Sequence, residues 1–181
     1  MIINFMTWNT RLYEYGNKCN KNYVKPFDYC KCIDTINTVR KYMLKRNSII
    51  VLQEIPLKCN ITHSEHIIWT LLGGVFPQDK YMVLYNKNEN VRDQIKTTVV
   101  IAEKHLIELD DKGFNSNKED YCNCFVSFKI KDTDLYILAV HQSLSDKEFI
   151  SDKLDKNPNY KPTIILGDFN AGNYSKKNET N

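Results

Sequence analysis

No stretch of this sequence approaches the roughly 18–20 consecutive apolar residues that a bilayer-spanning helix needs, so no membrane span is expected. The opening Met1-Ile2-Ile3-Asn4-Phe5-Met6 lacks a basic segment, a long apolar core and a small-residue cleavage site, so no secretion signal is expected either. Internal repeats and linkers rich in Pro or Ser are missing, which favours one domain over residues 1–181. A strong charge of either sign is missing too: 25 Lys and Arg against 22 Asp and Glu leave +3. That mild balance permits a polyanionic substrate without demanding one. Histidine is scarce, with four in all and none after His141.

What is present is a globular composition, with 42% hydrophobic and 26% charged residues. Lys and Asn are abundant, which reads first as the bias of an AT-rich genome. Six cysteines occur, at 19, 30, 32, 59, 122 and 124. Without a secretion signal they read as free thiols in a reducing cytoplasm.

Hydrophobic periodicity orders the chain. Residues 2–8, 48–54, 80–86, 95–103, 105–110, 121–131, 134–141 and 163–166 read as strands. Residues 28–46 read as a helix with Ile33, Ile36, Val39, Met43 and Leu44 near one face. A shorter helix is expected over 63–72, capped by Thr62 and ended by Gly73-Gly74, and another over 146–156, capped by Ser145. Pro56 is expected to stop the second strand. Many strands with a few interspersed helices give an α/β (α+β) class: two sheets face to face, helices outside.

Four of these strands end in residues that can do chemistry: Trp8-Asn9, Gln53-Glu54, His141-Gln142 and Asp168-Phe169-Asn170. Asp168 and Asn170 are two apart, so on extended backbone they point the same way. Rigid strands that feed polar residues to one end are a common way to build a site. The set suits phosphodiester hydrolysis. A carboxylate such as Glu54 can hold Mg²⁺ with waters completing its shell. A second, Asp168, can orient or deprotonate the attacking water. The His141 imidazole can donate to a phosphoryl oxygen or to the leaving group. Asn9 and Asn170 can position groups without adding charge.

Thr7-Trp8-Asn9, Val51-Leu52-Gln53-Glu54, Ala139-Val140-His141 and Gly167-Asp168-Phe169-Asn170-Ala171 resemble, in order and spacing, the motifs of the endonuclease/exonuclease/phosphatase superfamily. The resemblance spans residues 2–172. It implies a four-layered α/β-sandwich, dependence on Mg²⁺ or Mn²⁺, and phosphoester cleavage; the mild basic charge and the lack of a secretion or membrane signal favour nucleic acid as the substrate. By the same resemblance Glu54 is a metal ligand, Asn9 serves metal and phosphate, and His141 is a catalytic histidine. Asp168 and Asn170 activate and orient water, and Tyr81 or Tyr85 contacts phosphate. The superfamily pattern runs on through further strands to a Ser-Asp-His motif that has no counterpart here. The chain therefore matches the N-terminal two-thirds of such a fold. Impaired activity, and a second chain or oligomer covering the exposed sheet, are expected.

Other clusters read more plainly. Cys30/Cys32 and Cys122/Cys124 have one intervening residue, not the two to four usual for zinc. His63 and His66 read as a solvated helix face, as does the basic run of Arg40, Lys41, Lys45 and Arg46. Trp8 and Trp69 read as core aromatics. Two other functions compete with the nuclease reading: a catalytically inactive relic or interaction module, and a phosphatase or sphingomyelinase-type enzyme of the same fold.

Overall fold

A computed structural model describes residues 2–12, 29–57, 67–85, 96–110, 125–142 and 150–170. The expectations for Cys19, Cys59, Cys122, Cys124, Thr62, His63, His66 and Ser145 lie outside them.

Eight strands and three helices follow in the order β1 (Asn4–Asn9), α1 (Tyr29–Met43), β2 (Ser48–Pro56), α2 (Ile67–Val75), β3 (Tyr81–Tyr85), β4 (Lys96–Glu103), β5 (Ile107–Leu109), β6 (Phe125–Ile130), β7 (Tyr136–His141), α3 (Ile150–Asp155) and β8 (Ile164–Asp168). One mixed sheet has the strand order β1-β2-β4-β3 and the other β5-β6-β7-β8. In the first sheet β1 runs parallel to β2; in the second, β7 runs parallel to β8. The expected two-sheet sandwich is what the chain forms.

Side-chain alternation explains the layering. In β2, Ile50, Leu52 and Ile55 face one way, against Cys32, Ile36 and Val39 of α1 and Ile68 and Leu72 of α2. Ile49 and Val51 face the other way, against Val126, Phe128, Ile137 and Ala139 of the second sheet. Every residue of β2 is buried, which is why it reads as a continuous apolar run. The far side of the second sheet packs Leu138 and Val140 against Ile150 and Leu154 of α3. Three apolar interfaces thus separate four layers. At roughly 1.5–3 kcal/mol for each large aliphatic side chain buried, the inter-sheet interface holds the two sheets in a fixed relation.

Several local expectations are corrected. The buried stripe of α1 is Cys32, Thr35, Ile36 and Val39, whereas Ile33 is half exposed and Leu44, beyond the helix end, is exposed. Cys30 is exposed and Cys32 buried, so the two thiols diverge as helical neighbours two apart must. Gly73 and Gly74 do not end α2, which runs on to Val75. The i, i+4, i+8 series Ile68, Leu72 and Phe76 buries one face and outweighs the roughly 1 kcal/mol that each glycine costs a helix. Pro56 is the last residue of β2 rather than a break before its end, and its carbonyl accepts a hydrogen bond from Trp69 Nε1 at 2.8 Å. Among the described residues no helix is long and apolar enough to cross a membrane.

Gly167 sits in β8 beside β7 with φ of 145°. A Cβ placed there would lie 1.9 Å from the Val140 carbonyl oxygen. That neighbour is backbone, so no side chain can swing aside. Gly167→Ala is expected to destabilise by on the order of 3 kcal/mol, lowering Tm by roughly 6–12 °C for a domain of this size. Thermal unfolding followed by circular dichroism checks this; an unchanged Tm would contradict the geometry.

Candidate active site at the open end of the sandwich

The parallel pairs β1/β2 and β7/β8 all end at one edge of the inter-sheet space. Asn9 is the register neighbour of Gln53, and His141 that of Asp168. Two side-chain contacts then cross between the sheets. Asn9 Nδ2 donates to Asp168 Oδ2 at 2.8 Å, and His141 Nε2 lies 3.3 Å from Glu54 Oε1. Four strand ends are thereby closed into a ring: Asn9 beside β2, Glu54 across to His141, His141 beside Asp168, and Asp168 back to Asn9.

Glu54 reaches this ring only because β2 breaks its alternation. Gln53 faces the inter-sheet side, where its Nε2 donates to Thr7 Oγ1 at 2.8 Å. Regular pleating would send Glu54 to the helix side. Instead the β2–β4 register shifts between Leu52 and Ile55, and Glu54 adopts φ of 60°. The irregularity turns a second consecutive side chain inward and returns Ile55 to the helix-side cluster. Thr10 ties the same spot down, its N and Oγ1 both donating to the Gln53 carbonyl.

Asp168 is held from both sides. Its Oδ1 accepts the Asn170 backbone N–H at 3.0 Å, while Oδ2 takes Asn9. Asn170 adopts φ of 46°, which Asn tolerates better than most residues, and its Nδ2 donates to the Gln142 carbonyl. Gln142 is itself anchored, its N–H donating to the Asp168 carbonyl and its Oε1 accepting from Ile150 N. Asn9 Oδ1 accepts the Arg11 N–H at 3.1 Å. Asn9, Glu54 and Asp168 are therefore each fixed by two side-chain contacts.

One residue that sequence reasoning missed joins the ring. Lys96, the first residue of β4, places Nζ 3.0 Å from Glu54 Oε1. The signal was available: Lys96, Thr98, Val100 and Ala102 share one face of β4 by alternation, and Val100 and Ala102 lie in the inter-sheet core. The tyrosines go elsewhere. Tyr81 pairs with Glu103 at the opposite end of β3 and packs edge-on to Phe76. Tyr85 lies on the helix side against Trp69, with ring centroids 4.4 Å apart. Neither is brought to the cluster.

Glu54 is 7% exposed. Its burial alone would raise the carboxyl pKa, but hydrogen bonds from His141 and Lys96, and their charges, more than offset this and hold it below its ordinary value. Glu54 is an ionised carboxylate met by the Lys96 ammonium and the His141 imidazole, and Mg²⁺ usually takes one or two carboxylates and keeps several waters. Gln53 Oε1, buried beside Glu54, has no hydrogen-bond donor among the described residues and offers an acceptor for such a water. No group of three or more His, Cys, Asp or Glu side chains poised for a metal occurs among the described residues. The Glu54 carboxylate and the Gln53 Oε1 acceptor are oxygen donors of the type that a hydrated divalent cation takes.

The depressed carboxyl fixes a sign. In the unfolded chain Glu54 protonates near 4.5, and in the fold at a lower pH, so unfolding takes up a proton between the two. Its contribution is complete above about pH 4.5 and fades as pH falls through the lower value. Wild type is expected to exceed Glu54→Gln in stability at pH 7, with the gap closing towards pH 3. Urea unfolding of both across that range measures it; a gap that widens on acidification would refute the assignment.

No protein-family model and no curated protein matches the sequence. Solved structures do match in fold. Truncated Caenorhabditis elegans TDP2 superposes with a TM-score of 0.53 at 17% identity, covering 94% of this chain and 63% of that one. An endonuclease/exonuclease/phosphatase family protein from Leptotrichia buccalis gives 0.55 at 15% identity, covering 97% of this chain and 70% of that one. D. rerio TDP2 complexed with a single-strand DNA product gives 0.50 at 12% identity, over 94% and 61%. The chain spans less than two thirds of the C. elegans protein's length. Its two four-stranded sheets, flanked by helices and superposing over nearly their whole extent on these proteins, give this chain the fold of the endonuclease/exonuclease/phosphatase superfamily.

Proposed function

We propose that this chain is a metal-dependent phosphodiester hydrolase that acts on nucleic acid. The observation that carries the reading is the ring of Asn9, Glu54, His141 and Asp168, drawn from four strand ends and closed by two contacts between the sheets. A buried ion pair is a poor stabilising device, and a positive-φ glutamate carries backbone strain. Residues held this way at the mouth of a sandwich are better accounted for by chemistry than by folding.

In this reading Glu54 and Asn9 would hold Mg²⁺ or Mn²⁺, which when bound supplies a positive charge for the phosphoryl oxygens. Asp168 accepts a proton from the attacking water, its carboxylate fixed by Asn9 and the Asn170 N–H. Asn170 orients Asp168 and, through Gln142, the end of β7. His141 donates to a phosphoryl oxygen. The mild net charge, and the single-strand DNA product bound by D. rerio TDP2, support nucleic acid as substrate.

Incubation with Mn²⁺ and single-stranded DNA or RNA, or with bis(p-nitrophenyl) phosphate, is expected to give cleavage. Glu54→Gln and Asp168→Asn should each slow it by ~10²–10⁴-fold. Lys80→Ala, an exposed change at the opposite end of the sheet, should leave the rate unchanged. A folded chain with neither cleavage nor metal affinity would overturn the reading in favour of an inactive module.

A further inference from the structure

Lys96 is placed where a purely structural lysine is costly. It heads β4 with its Cα opposite Pro56, on the face that continues through Thr98 to Val100 and Ala102 in the inter-sheet core. Its side chain is 22% exposed and that of Glu54 9%. Removing two such charges from water costs about as much as their attraction returns, so stability alone gives little reason to keep them. The geometry at the carboxylate is specific. Lys96 Nζ, at 3.0 Å, and His141 Nε2, at 3.3 Å, converge on the same oxygen, Oε1. A divalent cation ligated by that oxygen, with its own shell of waters, would need the space and charge balance that the ammonium now supplies. Two cations against one carboxylate oxygen also repel each other strongly at this range.

We propose that Lys96 is the resident cation of the Glu54 site, bound in exchange with the divalent metal, and that on metal binding its ammonium passes to the substrate phosphate. This rests on Glu54 being the metal ligand. In either state of the exchange at least one positive charge stays on Glu54, so the buried carboxylate is never left uncompensated. It also couples the two ligands. A phosphate dianion that attracts Lys96 makes room for metal, and metal that expels Lys96 strengthens the hold on phosphate. The lysine is thus a positioning residue that becomes a substrate contact.

The test measures Mn²⁺ affinity on the full chain by calorimetry or electron paramagnetic resonance, with and without thymidine 5′-monophosphate. Lys96→Met is expected to bind Mn²⁺ alone about tenfold or more tighter than wild type. Wild type should gain Mn²⁺ affinity several-fold when the nucleotide is present, and Lys96→Met should lose most of that gain. Structural damage would weaken metal binding, not tighten it. Lys96→Gln serves as the second variant if Lys96→Met does not unfold cooperatively. Equal or weaker Mn²⁺ binding in the folded Lys96 variant, with Glu54→Gln abolishing binding, overturns the exchange but keeps the metal reading. Glu54→Gln with wild-type Mn²⁺ affinity removes the metal reading and the exchange with it.

Discussion

The irregularity at Gln53-Glu54 is the constraint on which the site depends. A regular strand cannot send two consecutive side chains to one face. The shifted β2–β4 register and the positive φ of Glu54 allow it, at a backbone cost of order 1–3 kcal/mol. Gln53 stays bonded to Thr7, Glu54 reaches Lys96 and His141, and Ile55 resumes packing against the helices. The surroundings over-determine this strained residue. β2 is buried on both faces, its neighbours β1 and β4 are paired along it, and Thr10 clamps the Gln53 carbonyl.

The second sheet meets the first half of the site with a different device. Parallel pairing of β7 and β8 sets His141 beside Asp168 with an unbroken register. What is unusual lies one residue earlier: at Gly167 the backbones of β7 and β8 approach too closely for any Cβ. Hydrogen bonds of Gln142 and Asn170 then tie the two strand ends together. One half of the site is aimed by a bulge and the other by a close backbone contact. The inter-sheet core between them fixes the distance that Asn9 to Asp168 and Glu54 to His141 must span.

Much of this was legible in the sequence, and the parts that were not share a physical cause. The apolar runs at 48–52 and 136–140 announce buried strands because both their faces are covered. Polar residues that follow such runs stand out, so Asn9, Glu54, His141 and Asp168 could be named. Lys96 opens its strand instead of closing it, and a lysine at a strand end resembles a solvated boundary. Only alternation against Val100 and Ala102 reveals its inward face. Tyr81 and Tyr85 have the opposite fault: they occupy the right strand, but their parity, shared with Val83, turns them to the helix side. Nor does helix propensity show α2 running through Gly73-Gly74, because the apolar series Ile68, Leu72 and Phe76 holds it from outside.

Charge economy is the remaining link between fold and chemistry. The ring contains two carboxylates on different strands, and each is met differently. Asp168 is surrounded by neutral donors, the Asn9 amide and the Asn170 N–H, which fix its orientation without cancelling its charge. Glu54 is met by an ammonium and an imidazole, which hold it ionised below its ordinary pKa. The Asn9 amide and the Asn170 N–H fix the orientation of the Asp168 carboxylate, which suits the general-base part proposed for it. A cation ligand needs to stay ionised in a buried setting, and positive neighbours provide that even before a metal arrives. The two environments therefore suit the different roles proposed for two chemically similar groups. The difference follows from which strand ends surround each one: β2, β4 and β7 around Glu54, and β1, β8 and the turn after β8 around Asp168.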